Sequence, residues 1–270
     1  LVCFPPAKIN LGLRILGRRQ DGFHEISSFF LPIALRDALE VIPGGSSVSL
    51  HLSGEMIEGN NEDNLVVRAW RLMMAAYGIP GAEIYLHKAI PQGAGLGGGS
   101  SDAAKSLEMA RDMFVSEVGD DRLRELALSL GSDCPFFIRP EPTLVSGRGE
   151  ILEPASGPDF SCTIVLLKPQ LSIPTALAYR SLTSFSKDPF TVNDLKNDPD
   201  SWKIIFQNDF EPWARDMYPE IGQLIGLLYD EGAFYASLSG SGSSVFGLFF
   251  SKPQRMKLPE GVFRWEGSLG

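Results

Sequence analysis

Cysteine is scarce in this chain: Cys3, Cys134 and Cys162 are the only three in 270 residues. An odd number at wide spacings supports neither a disulfide framework nor a C-x-x-C metal site, and it fits a reducing, cytoplasmic setting. Histidine is equally rare, and no His, Cys or carboxylate cluster has metal-ligand spacing, so no resident metal centre is expected. Basic residues fall short of acidic ones, 24 against 33, for a formal charge of −9. That balance argues against a nucleic-acid partner, although a small anionic ligand needs only local donors. The N-terminal stretch lacks a basic segment followed by an apolar one, so a secretory signal is not expected. The chain opens on Leu1 rather than Met, and a few residues are expected to precede it. One uncharged run, Gly232 to Ser251, has the length of a membrane span, but its centre, Ser237-Leu-Ser-Gly-Ser-Gly-Ser-Ser244, is too polar. It reads as strand, loop, strand, and no membrane partner is expected.

What is present describes a globular protein, 44% hydrophobic and 21% charged. The length suits one large domain or two modest ones. Ala7 to Leu16 and Phe23 to Phe30 read as strands joined by a turn at Arg18-Arg-Gln-Asp-Gly22. Arg14, Arg18 and Arg19 cluster with Lys8 here. Val48 to Ser53 reads as a further strand. Asn61 to Asn64 supplies caps for a helix over Leu65 to Tyr77, closed by Gly78 and Pro80. Glu83 to Ala89 is a strand running into a glycine-rich loop. A helix is expected from Ser100, with Asp102 in its first turn, and another over Asp120 to Leu130. After about residue 155 the texture changes. The reading there is a buried strand at Cys162 to Leu167, a helix opened by Ser172-Ile-Pro-Thr175, a long polar loop over 183–201, a helix from Pro212 to Tyr229, and strands at Phe234 to Ser237 and Val245 to Phe250. Mixed elements without regular β-α-β spacing predict an α+β fold in two domains, 1–155 and 156–270.

The loop Pro91-Gln-Gly93-Ala94-Gly95-Leu96-Gly97-Gly98-Gly99-Ser100-Ser101 lies between a strand and a helix. Glycines allow close backbone approach, unpaired N–H groups point inward, and the helix start adds partial positive charge, which together suit phosphate. The spacing alone leaves three nucleotide-binding readings open. Gly93, Gly95 and Gly98 satisfy the dinucleotide pattern G-x-G-x-x-G, with Glu117 as a candidate for the acidic residue about 20 positions on, although it closes no clear second strand. Gly93 and Gly98 also have P-loop spacing, but Gly99 stands where the P-loop requires Lys.

The third reading comes from resemblance. The loop resembles the phosphate loop of the GHMP kinase superfamily, and its doubled glycine with Ser-Ser-Asp is most similar to that of the 4-diphosphocytidyl-2-C-methyl-D-erythritol kinases. Other segments resemble that family in its own order: Pro6-Ala-Lys-Ile-Asn-Leu11, Arg19-Gln-Asp-Gly-Phe-His24, Gly131-Ser-Asp-Cys-Pro-Phe136, Ser146-Gly-Arg-Gly-Glu150, Ser172-Ile-Pro-Thr175, Asn208-Asp-Phe-Glu211 and Ser239-Gly240-Ser-Gly242-Ser-Ser244. The resemblance implies a ribosomal-protein-S5-like N-terminal half and a ferredoxin-like C-terminal half. It implies an ATP-dependent kinase acting on the 2-hydroxyl of a cytidine-diphosphate-linked methylerythritol in isoprenoid precursor synthesis, working as a monomer or homodimer. Mg²⁺ is expected to arrive with ATP and keep several waters. Homoserine- or mevalonate-type kinases and a non-catalytic nucleotide sensor are the alternatives on the same fold.

Phosphoryl transfer needs an aligned hydroxyl, charge neutralisation and a proton acceptor. The resemblance makes Asp133 the base, and the apolar residues after it are expected to raise its basicity. Lys8 is implied to pair with Asp133 and polarise the acceptor hydroxyl, with Asn10 on the same strand face binding substrate hydroxyls. His24 is implied to hydrogen-bond the cytosine, with Phe23 and Tyr179 stacking on its faces. The family often carries Tyr where this chain has Phe23, which can stack in the same way but offers no hydroxyl. Ser100 or Ser101 is implied to touch phosphates or Mg²⁺, Asn64 and Lys88 to line the adenine pocket, and Thr175, Gly240 and Gly242 to face substrate.

Overall fold

The computed structural model describes residues 1–56, 59–254 and 256–269. Two compact units are interleaved along the chain. The first comprises Leu1–Ala7, Leu35–Gln92 and Gly97–Pro140, and the second Lys8–Ala34, Gly93–Leu96 and Glu141–Gly270.

In the first unit a four-stranded sheet has the order Val2–Cys3, Ala38–Pro43, Ala82–Lys88, Val48–Gly54. Ala38–Pro43 pairs antiparallel to Ala82–Lys88, whereas Val48–Gly54 runs parallel to it. A parallel neighbour demands a crossover, and the helix Leu65–Tyr77 lies on that connection. Asn64 caps this helix by accepting from the amide of Val66 at 3.0 Å, and Gly78 ends it in the left-handed conformation, φ 68°. Val66, Ala69, Trp70 and Met73 recur at helical spacing and are buried. The helices Gly98–Phe114 and Asp120–Leu130 complete this layer.

The second unit holds two four-stranded sheets. One has the order Pro6–Arg18, His24–Arg36, Thr143–Gly147, Ile151–Pro154. The other has the order Tyr235–Leu238, Val245–Phe249, Cys162–Lys168, Phe263–Leu269, with every neighbour antiparallel. In chain order that is second, third, first, fourth, the ferredoxin-like arrangement, although no helix lies between the last two strands among the described residues. The uncharged run from Gly232 is thus strand, loop, strand. Trp202, Phe206, Phe210 and Tyr235 are fully buried here, and the hydroxyl of Tyr235 donates to the carbonyl of Phe206 at 2.6 Å.

Several expected boundaries move. The helix expected from Pro212 to Tyr229 is two, Glu211–Met217 and Pro219–Asp230, because Pro219 forces Tyr218 out of helical geometry, φ −132° and ψ 85°. The polar stretch 183–201 contains short 3₁₀ turns at Val192–Lys196 and Pro199–Ser201. Among the described residues no helix is long and apolar enough to cross a membrane.

Candidate active site

The glycine loop departs from ordinary backbone where its glycines stand. Gly93, Gly95 and Gly97 all have positive φ, at 61°, 74° and 71°. Left-handed geometry is costly for residues with a Cβ, so an alternating set of this kind requires glycine. The helix after the loop begins at Gly98, two residues before the expected start at Ser100, with Gly97 as a cap that makes no side-chain hydrogen bond. Its first amides have no partner within the helix and are available to an anion. The early start also corrects the placing of Asp102, which lies beyond the first turn. Ser101 and Asp102 are buried, and the Ser101 hydroxyl and Asp102 Oδ1 lack protein hydrogen-bond partners.

Beneath the loop, within the first unit, Lys88 is buried and its ammonium donates to Asp37 and, at 2.8 Å, to Asp102. Burial pushes the Asp102 carboxyl up to about 7, against the pull of Lys88. Burial also pulls the Lys88 ammonium down, but its two carboxylate neighbours outweigh that and hold it above its ordinary value. Asn64 lies at the start of the neighbouring helix, its side-chain oxygen engaged as the cap. Asp133 is half-buried at the start of the 3₁₀ turn Cys134–Ile138, and its carboxylate does not cap that turn. Burial pushes the adjacent Cys134 thiol up to about 11, against a hydrogen bond with Ser100.

Within the second unit, the segment Gly93–Leu96 is gripped from two sides. The amide of Lys8 donates to the carbonyl of Leu96 at 2.9 Å. From the other side, Ser239 donates its hydroxyl to the carbonyl of Gly95 at 3.0 Å, and the amide of Ser244 donates to the carbonyl of Ala94 at 3.2 Å. A Cβ on Gly95 would lie 2.0 Å from the Ser239 carbonyl oxygen, and one on Gly240 3.2 Å from Asn10 Oδ1. Lys8 and Asn10 share a face as expected. The Lys8 ammonium donates to Asn10 Oδ1 and lies 4.4 Å from the Phe30 ring centroid, while Asn10 Nδ2 donates to Ser28 at 2.9 Å. Asn208 holds the serine-glycine loop from behind, its Nδ2 donating to the carbonyls of Leu238 and Gly240, each at 2.9 Å.

His24 and Tyr179 meet in the same unit, stacked with ring centroids 4.7 Å apart. Burial, then the charge of Arg18, holds the His24 imidazole below its ordinary value, so it stays neutral at pH 7. Phe23 is 46% exposed, with the Arg148 guanidinium 4.7 Å over its ring. The hydroxyls of Thr175 and Ser241 share a hydrogen bond at 3.0 Å, tying the helix Thr175–Arg180 to the tip between Gly240 and Gly242.

The chain matches the family model for the GHMP kinases N terminal domain over residues 64–140 and that for the GHMP kinases C terminal domain over residues 193–260. It is 40% identical over 272 residues to a 4-diphosphocytidyl-2-C-methyl-D-erythritol kinase of Parabacteroides distasonis, with 100% of each chain covered. A kinase of the same description from Bacteroides thetaiotaomicron is 42% identical over 277 residues, again with 100% of each covered. The chain belongs to the GHMP kinase family. Its fold is accordingly the α+β, two-domain GHMP kinase fold. A crystal structure of a 4-(cytidine 5'-diphospho)-2C-methyl-D-erythritol kinase superposes with a TM-score of 0.78 at 36% identity, covering 92% of this chain and 90% of the other. A homoserine kinase from Cytophaga hutchinsonii shares the GHMP fold at a TM-score of 0.68 and 18% identity, covering 99% of this chain and 93% of the other.

Sequence reasoning missed Asp37, Ser28 and the function of Asn208 as a brace. Asp37 stands alone between two strands and belongs to no motif. The Asn208 segment matched the family, but nothing in its local sequence indicates that its amide reaches residues 238 and 240.

Proposed function

We propose that this GHMP kinase transfers the γ-phosphoryl group of ATP to the 2-hydroxyl of 4-diphosphocytidyl-2-C-methyl-D-erythritol. The observation that carries the reading is the glycine loop: three left-handed glycines leading to an uncapped helix start, in a chain similar over its full length to kinases described for that substrate. Pro91, the backbone from Gly93 to Gly99, Ser100 and Ser101 bind the ATP phosphates, with Asn64 and Lys88 on the adenine side. Asp133 takes the proton of the acceptor hydroxyl as that oxygen attacks the γ-phosphorus and the bond to ADP breaks. Lys8 polarises the acceptor hydroxyl, and Asn10 orients the polyol. Neutral His24 hydrogen-bonds the cytosine, with Phe23 and Tyr179 as its stacking partners, and Thr175, Gly240 and Gly242 line the acceptor side.

Mg²⁺ bound with ATP would neutralise charge on the transferring group, with the Ser100 and Ser101 hydroxyls as the protein donors that would face it. Hydroxyl oxygens at a helix start are hard donors that suit such a cation. The division near residue 155 into an ATP-binding and a substrate-side domain is supported by the two family models, which match on either side of it. The enzyme works in the cytoplasm, as a monomer or homodimer.

Incubation with ATP, Mg²⁺ and the diphosphocytidyl polyol should yield ADP and the 2-phosphate. No product there, with turnover on homoserine or mevalonate, would move the assignment to another GHMP kinase.

A further inference from the structure

The carboxylate of Asp37 reaches both sequence ends of the glycine loop. Its Oδ1 accepts from the amides of Ala89 at 2.7 Å and Ile90 at 2.8 Å, the residues that lead into the loop. Its Oδ2 accepts from the Lys88 ammonium, which donates in turn to Asp102 on the helix that leaves the loop. All of these groups lie in the first unit, and Asp37, Lys88 and Asp102 are 1%, 5% and 2% exposed. Asp37 is itself held in place, its amide donating to the carbonyl of Pro5 at 3.0 Å. The packing around the helix start is equally tight. A Cβ on Gly98 would stand 2.9 Å from Ile90 Cγ2 and 3.2 Å from Lys88 Nζ.

A buried cluster of two carboxylates and one ammonium is an expensive way to stabilise a fold, since desolvation offsets most of the attraction and apolar residues of similar volume serve as well. What such a cluster supplies is geometry: charge-assisted hydrogen bonds of fixed length between segments that have to keep a register. Here the segments are the last residues before the loop and the second turn of the helix after it. The separation of these two anchors limits how far the intervening glycines relax, and glycines have no side chains with which to limit it themselves.

We infer that Asp37 is a positioning residue for nucleotide binding, setting the span of the phosphate loop through Ala89 and Ile90 on one side and through Lys88 and Asp102 on the other. The inference rests on the proposed phosphate role of the loop. Asp37 is buried and fully engaged with Lys88, Ala89 and Ile90, so its replacement should act on ATP through the loop. This separates it from Lys88, whose replacement would also disturb a lining residue of the adenine pocket.

The test is calorimetric titration of the full chain with ATP and, separately, with cytidine diphosphate, for the wild type, Asp37→Ala and Asp37→Asn, alongside each melting temperature. Asp37→Ala should weaken ATP at least tenfold and leave cytidine diphosphate within twofold. Asp37→Asn keeps an oxygen for the two amides, so it should fold and fall between the wild type and Asp37→Ala. Unchanged ATP affinity in Asp37→Asn together with Asp37→Ala, or equal loss for both ligands, would overturn the inference. If Asp37→Ala does not fold, Asp37→Asn decides alone: ATP weakened selectively supports the inference, and ATP unchanged overturns it. A wild type that binds ATP but leaves the diphosphocytidyl polyol unphosphorylated would instead overturn the proposed function, and the inference would still be decided by the ATP titrations.

Discussion

The hydroxyl of Ser239 is hydrogen-bonded to the carbonyl of Gly95 at 3.0 Å, so two loops far apart in sequence touch backbone to side chain with no room between them. Gly95→Ala would drive a Cβ to 2.0 Å from the Ser239 carbonyl oxygen and force alanine to φ 74°. The left-handed conformation alone costs about 1–2 kcal/mol, and the clash adds to it. Gly95→Ala should lower the melting temperature and abolish ATP binding. Gly99→Ala is the control: its Cβ would meet only Leu65, at 3.8 Å, in helical backbone. It should melt like the wild type. Calorimetry on the pair checks both.

Asp133→Asn should lower kcat by about 10²–10⁴-fold, the usual worth of a positioned base, while ATP affinity stays within a few-fold. Rapid-quench measurement of ADP formation together with equilibrium ATP binding tests the split. An unaffected rate would remove Asp133 as the base.

If His24 binds the cytosine as proposed, acceptor binding should depend on pH. Burial and then Arg18 depress its folded value below the ordinary 6.5. Between the two values the unfolded chain holds a proton that the folded chain does not, so stability falls as pH drops through this window, and the penalty is absent above 6.5. The KM for the diphosphocytidyl substrate should be flat at and above 6.5 and rise only as pH falls through the lower folded value, with the KM for ATP unaffected. Arg18→Gln removes a nearby positive charge and should move the His24 titration upward by NMR.

Asn208→Ala leaves the carbonyl of Gly240 and the amide of Phe210 without their side-chain partner, and the carbonyl of Leu238 with only the longer contact from the Ser237 hydroxyl at 3.5 Å. Each buried group so stranded costs about 1–3 kcal/mol. A melting temperature lowered by several degrees is expected, with the KM for the acceptor raised as the serine-glycine loop loosens.

Chelation with EDTA should stop turnover while leaving the melting curve of the ligand-free protein in place. Restoration by Mg²⁺ completes the check. A melting temperature lowered by EDTA would point to a structural metal.

Much of this was legible in the chain because it depends on local chemistry. The helix Leu65–Tyr77 announces itself through the Asn64 cap, its apolar spacing and Gly78, and the glycine loop through its unusual composition. The late strands Thr143–Gly147 and Phe263–Leu269 went unread, because their partners, His24–Arg36 and Cys162–Lys168, are distant in sequence. The site divides in the same way. Lys8, His24 and Asp133 stand in recognisable segments, but Asp37 acquires its importance only when strand pairing brings residue 37 beside residue 88. The resemblance implies a stacking role for Tyr179, whereas its ring contact with His24 depends on the tertiary fold.

The interleaving of the two units bears on how the molecule is made. Every stretch of the first unit precedes residue 141, so it can be completed while the rest of the chain is still being synthesised. The second begins at Lys8 but cannot close its last sheet until the strand Phe263–Leu269 is free to pair with Cys162–Lys168. Its early strands Pro6–Arg18 and His24–Arg36, with apolar residues such as Ile9, Leu11, Phe29 and Phe30 that end fully buried, neighbour each other at once but wait for Thr143–Gly147 and Ile151–Pro154 to complete their sheet. Those strands are where a chaperone would be needed, and where a premature stop codon would leave a truncated product prone to aggregate.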